Sequence, residues 1–93
     1  MRFEWDDEKY QSNIKKHNGV SFKEAKTIFL DPNLVRWSDD EHTNIDATED
    51  RFYALGKSIY KNLLLVCFCE RYGDTIRIYS ARYADKEERN GNG

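Results

Sequence analysis

The spacing of apolar residues along the chain changes period several times, and each change marks an element. "RFEW" alternates, Phe3 and Trp5 to one side, Arg2 and Glu4 to the other, which predicts a short strand. Asp6 can then cap a helix to about Lys16, with Asp7 and Glu8 at its positive end and "HNG" closing it through Gly19. Tyr10 and Ile14 give this helix a thin apolar face, so it is expected at an edge of the domain. "VSFKEAKTIFLDP" is the clearest local signal. Ser21 and Glu24 spell an S-x-x-E capping box, and Val20 can staple onto Ala25. Phe22, Ala25, Ile28 and Phe29 share one face of a helix that Pro32 ends.

"NLVRWS" predicts a strand, and three more follow: Arg51 to about Ile59, Leu63 to Glu70, and Thr75 to about Arg82. The links "YKN" and "RYGD" have hairpin length and turn residues, so these three should form an antiparallel meander. Leu63, Leu65, Cys67 and Cys69 on one face, with Leu64, Val66 and Phe68 on the other, describe a central strand covered on both sides. In the last strand Ile76 and Ile78 face one way and Thr75, Arg77 and Tyr79 the other. "ADKEER" continues as a short helix before the breakers "NGNG". The order β-α-α-β-β-β-β plus a short C-terminal helix predicts an α+β fold, an antiparallel β-sheet with two N-terminal helices packed on one face.

The length of 93 residues allows one core, so residues 1–93 are read as a single domain with 84–93 a short tail. Two Trp, six Tyr and five Phe exclude a disordered chain. The longest apolar run, "LLLVCF", is far below the roughly 20 residues of a membrane span. Acids stand at the N-terminus where a signal peptide carries its apolar stretch, so a cytoplasmic protein is expected. Cys67 and Cys69 lie two apart on one strand face, and read as buried small hydrophobes rather than a disulfide or metal ligands. With no Gly-rich phosphate loop, H-E-x-x-H or nucleophile elbow, neither cofactor nor metal is expected.

Net charge is −2, which alone speaks against a nucleic-acid binder. Its distribution changes that picture. Residues 1–50 hold twelve acids and seven bases, whereas residues 51–93 hold five acids and eight bases. "DDEHTNIDATED" carries six acids and no Lys or Arg; it reads as a solvated loop, or more sharply as a bait for a basic partner. The positive half contains Arg71 and Tyr72 in a turn, Arg77 and Tyr79 on a strand face, Arg82 and Tyr83 at the strand end, and Glu88 with Arg89 beyond. Arginine's planar fork suits phosphate, and interleaved tyrosines offer stacking faces for unpaired bases, a pattern that fits single-stranded RNA. The plainer alternative for any one of these arginines is an ion pair across the sheet, but acids in this half are too few to pair them all.

Cleaving RNA needs no metal if the 2′-hydroxyl attacks its own phosphate while protons are moved and charge on the equatorial oxygens is stabilised. Glu88 is the candidate base, with Glu70 a weaker one. His17 has a suitable ordinary pKa but reads more simply as a helix-end cap.

"FEWDDEKYQSNIKKHNGVSFKEAKTIFLDP" resembles the N-terminal signature of the BrnT family of bacterial type II toxins, and "RFYALG", "LLLV", "RYGDTIRIYSAR" and "ER" match the remainder in order and spacing. Asn18 interrupts the family's K-H-G-V, and Tyr83 stands where a basic residue is common. The resemblance implies a RelE-like fold, a ribonuclease that arrests translation, and a BrnA-like ribbon-helix-helix antitoxin through which alone operator DNA would be bound. It places the family's functional arginines on Arg71 and Arg82, and the acid and base of the tail on Glu88 and Arg89. Arg77 joins them from the charge argument. An attenuated toxin acting mainly as an antitoxin-binding co-repressor is the second expectation.

Overall fold

Leu63–Arg71 (β4), apolar on both faces, lies at the centre of a five-stranded sheet of order β1-β5-β4-β3-β2. A computed structural model describes residues 1–16, 20–38 and 51–91. The "HNG" helix stop with His17 and the acidic run 39–50 lie outside the described residues. The elements run β1 (Arg2–Trp5), α1 (Asp7–Lys16), α2 (Phe22–Ala25), a 3₁₀ helix (Lys26–Leu30), β2 (Val35–Ser38), β3 (Arg51–Lys57), β4, β5 (Thr75–Tyr83) and α3 (Lys86–Gly91). The fold is thus α+β, as the alternation of periods predicts.

The sheet is mixed rather than purely antiparallel. β2 to β5 form antiparallel neighbours, but β1 pairs parallel with β5, Phe3 beside Ile76 and Glu4 beside Arg77. Short hairpin links dictate antiparallel pairing only for the strands they join. β1 and its partner β5 are separated in the chain by the helices and by β2 to β4, a connection long enough for a parallel pairing.

The second helix is also shorter than the capping pattern suggests, passing after one turn into 3₁₀ geometry. Phe22, Ala25 and Ile28, all fully buried, are spaced by three, the period at which side chains of a 3₁₀ helix stack over one another. Ser21 Oγ accepts the Glu24 N–H at 2.9 Å, so the cap is made. The Glu24 carboxylate does not turn back to complete the box. It accepts from Ser58 Oγ at 2.7 Å and Asn62 Nδ2 at 2.9 Å, tying the β3–β4 hairpin to this helix.

Asp6 caps α1 by accepting the Glu8 N–H at 2.8 Å. That helix has few apolar residues to hold it, and a buried polar one does the work. Asn13 Nδ2 donates to the Ala81 carbonyl at 2.8 Å and the Val20 carbonyl at 3.3 Å, while Oδ1 accepts the Ala81 N–H at 3.0 Å. β1 ends opposite Ile78, so the Asn13 amide continues the strand edge of β5 where β1 stops.

One face of the sheet is closed by the helices around Val20, Phe22, Ala25, Ile28, Leu64, Val66, Phe68, Ile76, Ile78 and Ala81. On the other, Leu55, Leu65 and Ala84 form a smaller cluster with Tyr53 and Leu63 packed against it. That second face carries the candidate chemistry.

Candidate functional site

Strict alternation from Ile76 and Ile78 would send Arg82 into the helix-covered core. A β-bulge prevents this. Phe68 pairs with Ile78 but Cys67 pairs with Ser80, so Tyr79 is an extra residue on β5. Beyond it Ala81 is the buried core residue, and Arg82 pairs with Leu65 on the open face. Arg77 and Arg82, five residues apart, thereby share one face.

Arg82 is held by a fork. Its two terminal nitrogens donate to the two carboxylate oxygens of Glu88 at 2.8 and 2.9 Å, the bidentate geometry that also suits phosphate. Glu88 is in turn fixed by a reciprocal cap at the start of α3. Its N–H donates to Asp85 Oδ1, and its Oε1 accepts the Asp85 N–H, both at 2.8 Å. The pair is half-buried, with 35% of the Arg82 side chain and 22% of the Glu88 side chain exposed.

Arg82 and Glu88 form the polar wall of an open pocket of about 370 Å³ on this face. Leu65 and Cys67 of β4 line it, Ser80 adds a hydroxyl, and Trp37 and Tyr53 form the aromatic wall. Trp37 of β2 pairs in register with Tyr53 of β3, their rings 5.8 Å apart and inclined at 33°.

A second basic group lies towards the other end of the strands. Glu4, brought alongside β5 by the parallel pairing of β1, sits 3.5 Å from Arg77 and 3.7 Å from Arg71. The sharing of one carboxylate between two guanidiniums answers the shortage of acids in the C-terminal half, because the partner comes from the N-terminal strand. Arg51, paired in register with Cys69, lies 4.7 Å over the Tyr79 ring, and Lys9 of α1 lies 5.0 Å from the same ring. Tyr79 Oη is 3.3 Å from Cys69 Sγ. Among the described residues of this face, Arg51, Arg71, Arg77 and Arg82 thus outnumber Glu4 and Glu88.

The residues singled out in the sequence divide accordingly. Arg82 and Glu88 are brought together, and Arg89 stands exposed one residue further along α3. Arg71 pairs with Thr75 whereas Arg82 pairs with Leu65, so six residues of β4, roughly 20 Å of strand, separate them. Tyr72 is 84% exposed in the turn, with positive φ of 59°. Tyr83 pairs with Leu64 and therefore belongs to the face opposite Arg82. The aromatics beside Arg82 are instead Trp37 and Tyr53. Their period-two positions in "VRWS" and "RFYALG" mark a face, but only the register of three strands reveals that it is this one. Glu70, the weaker candidate base, is engaged by Arg36, whose guanidinium lies 5.0 Å from the Phe52 ring and 5.1 Å from the Phe68 ring. Among the described residues no group of three or more His, Cys, Asp or Glu side chains could hold a metal ion.

A family model described as "Ribonuclease toxin, BrnT, of type II toxin-antitoxin system" matches residues 5–88. The 1.1 Å crystal structure of the Brucella abortus ribonuclease toxin BrnT superposes with a TM-score of 0.66 at 22% identity, covering 92% of this chain and 99% of that one. That likeness is one of fold. A comparison with curated proteins found no match.

Proposed function

The chain belongs to the BrnT family of ribonuclease toxins of type II toxin–antitoxin systems, and from that membership we propose that its open sheet face cleaves single-stranded RNA without a metal ion and thereby inhibits translation. The observation that carries the reading is the Arg82–Glu88 fork at the wall of a pocket whose far side is aromatic. A guanidinium already presenting two parallel N–H groups is prepared for a phosphate, which displaces the carboxylate from it. Glu88, released beside the substrate, takes the 2′-hydroxyl proton. The 2′-oxygen bonds to phosphorus, the P–O5′ bond breaks, and the leaving oxygen recovers a proton from water or from the carboxylic acid so formed. Arg82, with Arg89 close by on α3, meets the negative charge that grows on the phosphoryl oxygens. Arg71 and Arg77 lie too far along the sheet for this step and serve neighbouring phosphates of the same strand, with Tyr72 and Tyr79 bordering its path; Tyr83, on the opposite face, is not part of it.

Family membership implies a protein antitoxin. A ribbon-helix-helix protein of the BrnA kind would dock on the basic face and carry the complex to operator DNA. The action is placed in the cytoplasm, where translation occurs; no described helix is long and apolar enough to cross a membrane.

The same fork favours a second reading, an attenuated toxin that mainly binds antitoxin, because Arg82 and Glu88 satisfy each other in the free chain. Expression of the chain without its antitoxin decides between them. Growth arrest with falling protein synthesis, abolished by Arg82→Ala, supports the ribonuclease. Unimpaired growth at wild-type expression levels supports the binding module.

A further inference from the structure

Trp37 and Tyr53 take no part in the chemistry assigned to Arg82 and Glu88, yet they form the wall facing them. Trp37 is 42% exposed on an edge strand, a large apolar surface left to water. Its ring is steadied against Tyr53 by the register of β2 on β3. Trp37 pairs with Tyr53, Tyr53 with Cys67, and Cys67 with Ser80, so the strand bearing the indole and the strand bearing Arg82 lie three strand spacings apart, about 14 Å. A guanidinium reaching inward from one side and an indole from the other leave a gap spanned by a single nucleotide.

We propose that Trp37, supported by Tyr53, is the nucleobase subsite of this face: the indole stacks on one unpaired base while the phosphate attached to that nucleotide lies against Arg82. The inference rests on Arg82 being the phosphate-binding residue of a ribonuclease, and it adds what part of the RNA is gripped. An apolar floor of Leu65 and Cys67 shields the stacked base from water on one side. Stacking engages the π-face common to all bases, so it fixes the position of the strand without demanding one sequence.

The test uses the full chain and two probes of equal length, an uncleavable 2′-O-methyl oligoribonucleotide and the same sugar–phosphate backbone without bases. The wild type is expected to bind the base-bearing probe at least about tenfold more tightly. Trp37→Leu should abolish that preference while leaving the affinity for the bare backbone unchanged, and Trp37→Phe should restore most of it. Unchanged melting temperatures show that the variants fold. No preference in the wild type, or an equal loss for both probes in Trp37→Leu, overturns the subsite while leaving the Arg82 reading intact. Failure of the wild type to bind either probe overturns both.

Discussion

Arg82 and Glu88 illustrate how a single side chain acquires its setting. Glu88 joins two hydrogen-bond systems, the fork to Arg82 and the cap of α3, so its replacement separates their roles. Glu88→Gln retains a carbonyl for the cap but cannot accept a proton. It is expected to slow RNA cleavage by about 100-fold or more, while affinity for an uncleavable RNA holds or rises because the carboxylate no longer competes for Arg82. Arg82→Lys keeps the charge and loses the planar fork, and should also cost about 100-fold in cleavage rate. Asn13 offers a prediction about stability alone. Asn13→Ala strips the Ala81 N–H and carbonyl of buried partners and is expected to destabilise the chain by about 2–3 kcal/mol, measured by urea unfolding. At this scale the concentration of arginines in the C-terminal half was legible in the sequence, but their setting was not. The face of Arg82 depends on the extra residue Tyr79, which no periodicity reveals, and the Glu4 partner of Arg71 and Arg77 comes from the other end of the chain.

Elements are joined here by small, crowded contacts. A Cβ on Gly56 of β3 would lie 2.8 Å from Leu34 Cδ1 and 3.3 Å from Ile28 Cβ. Leu34 can swing away, but Ile28 is fixed in the core, so Gly56→Ala should cost about 1–3 kcal/mol and lower the melting temperature. Beside it, Asp31 closes the 3₁₀ helix onto β3. The Lys57 N–H at 2.8 Å and the Asn33 N–H at 2.9 Å hold its carboxyl below the ordinary value of 3.8, helped by the Lys57 charge and opposed by slight burial. A carboxylate lowered in the folded state stabilises fully above its unfolded value, and that contribution vanishes as pH falls through the lower folded one. Since the site is open to solvent, the effect is under about 1 kcal/mol. Asp31→Asn should therefore destabilise near neutral pH and flatten the fall in melting temperature below about pH 4. Strand and helix identities were readable from apolar spacing, and β4 was recognisable as the central strand because both its faces are apolar. The parallel β1 and the 3₁₀ helix were not, since one depends on a long crossover and the other on how Phe22, Ala25 and Ile28 pack.

Across the whole molecule, a net charge of −2 conceals a basic face. Arg51, Arg71, Arg77 and Arg82 come from three strands, and among the described residues Glu4 and Glu88 pair with members of the set. Affinity for single-stranded RNA should fall steeply with salt, and Arg77→Ala should reduce the slope of log K against log salt by about 0.7 if that residue meets one phosphate. Such a slope reports the surface but not the reaction. The decisive measurement is incubation of the purified chain with single-stranded RNA in excess EDTA, followed by analysis of the new ends. Fragments ending in 2′,3′-cyclic phosphate and 5′-hydroxyl, formed by the wild type and reduced about 100-fold or more in Arg82→Ala, are the expected result. Cleavage that requires an added metal ion, or that persists undiminished without Arg82, would contradict it.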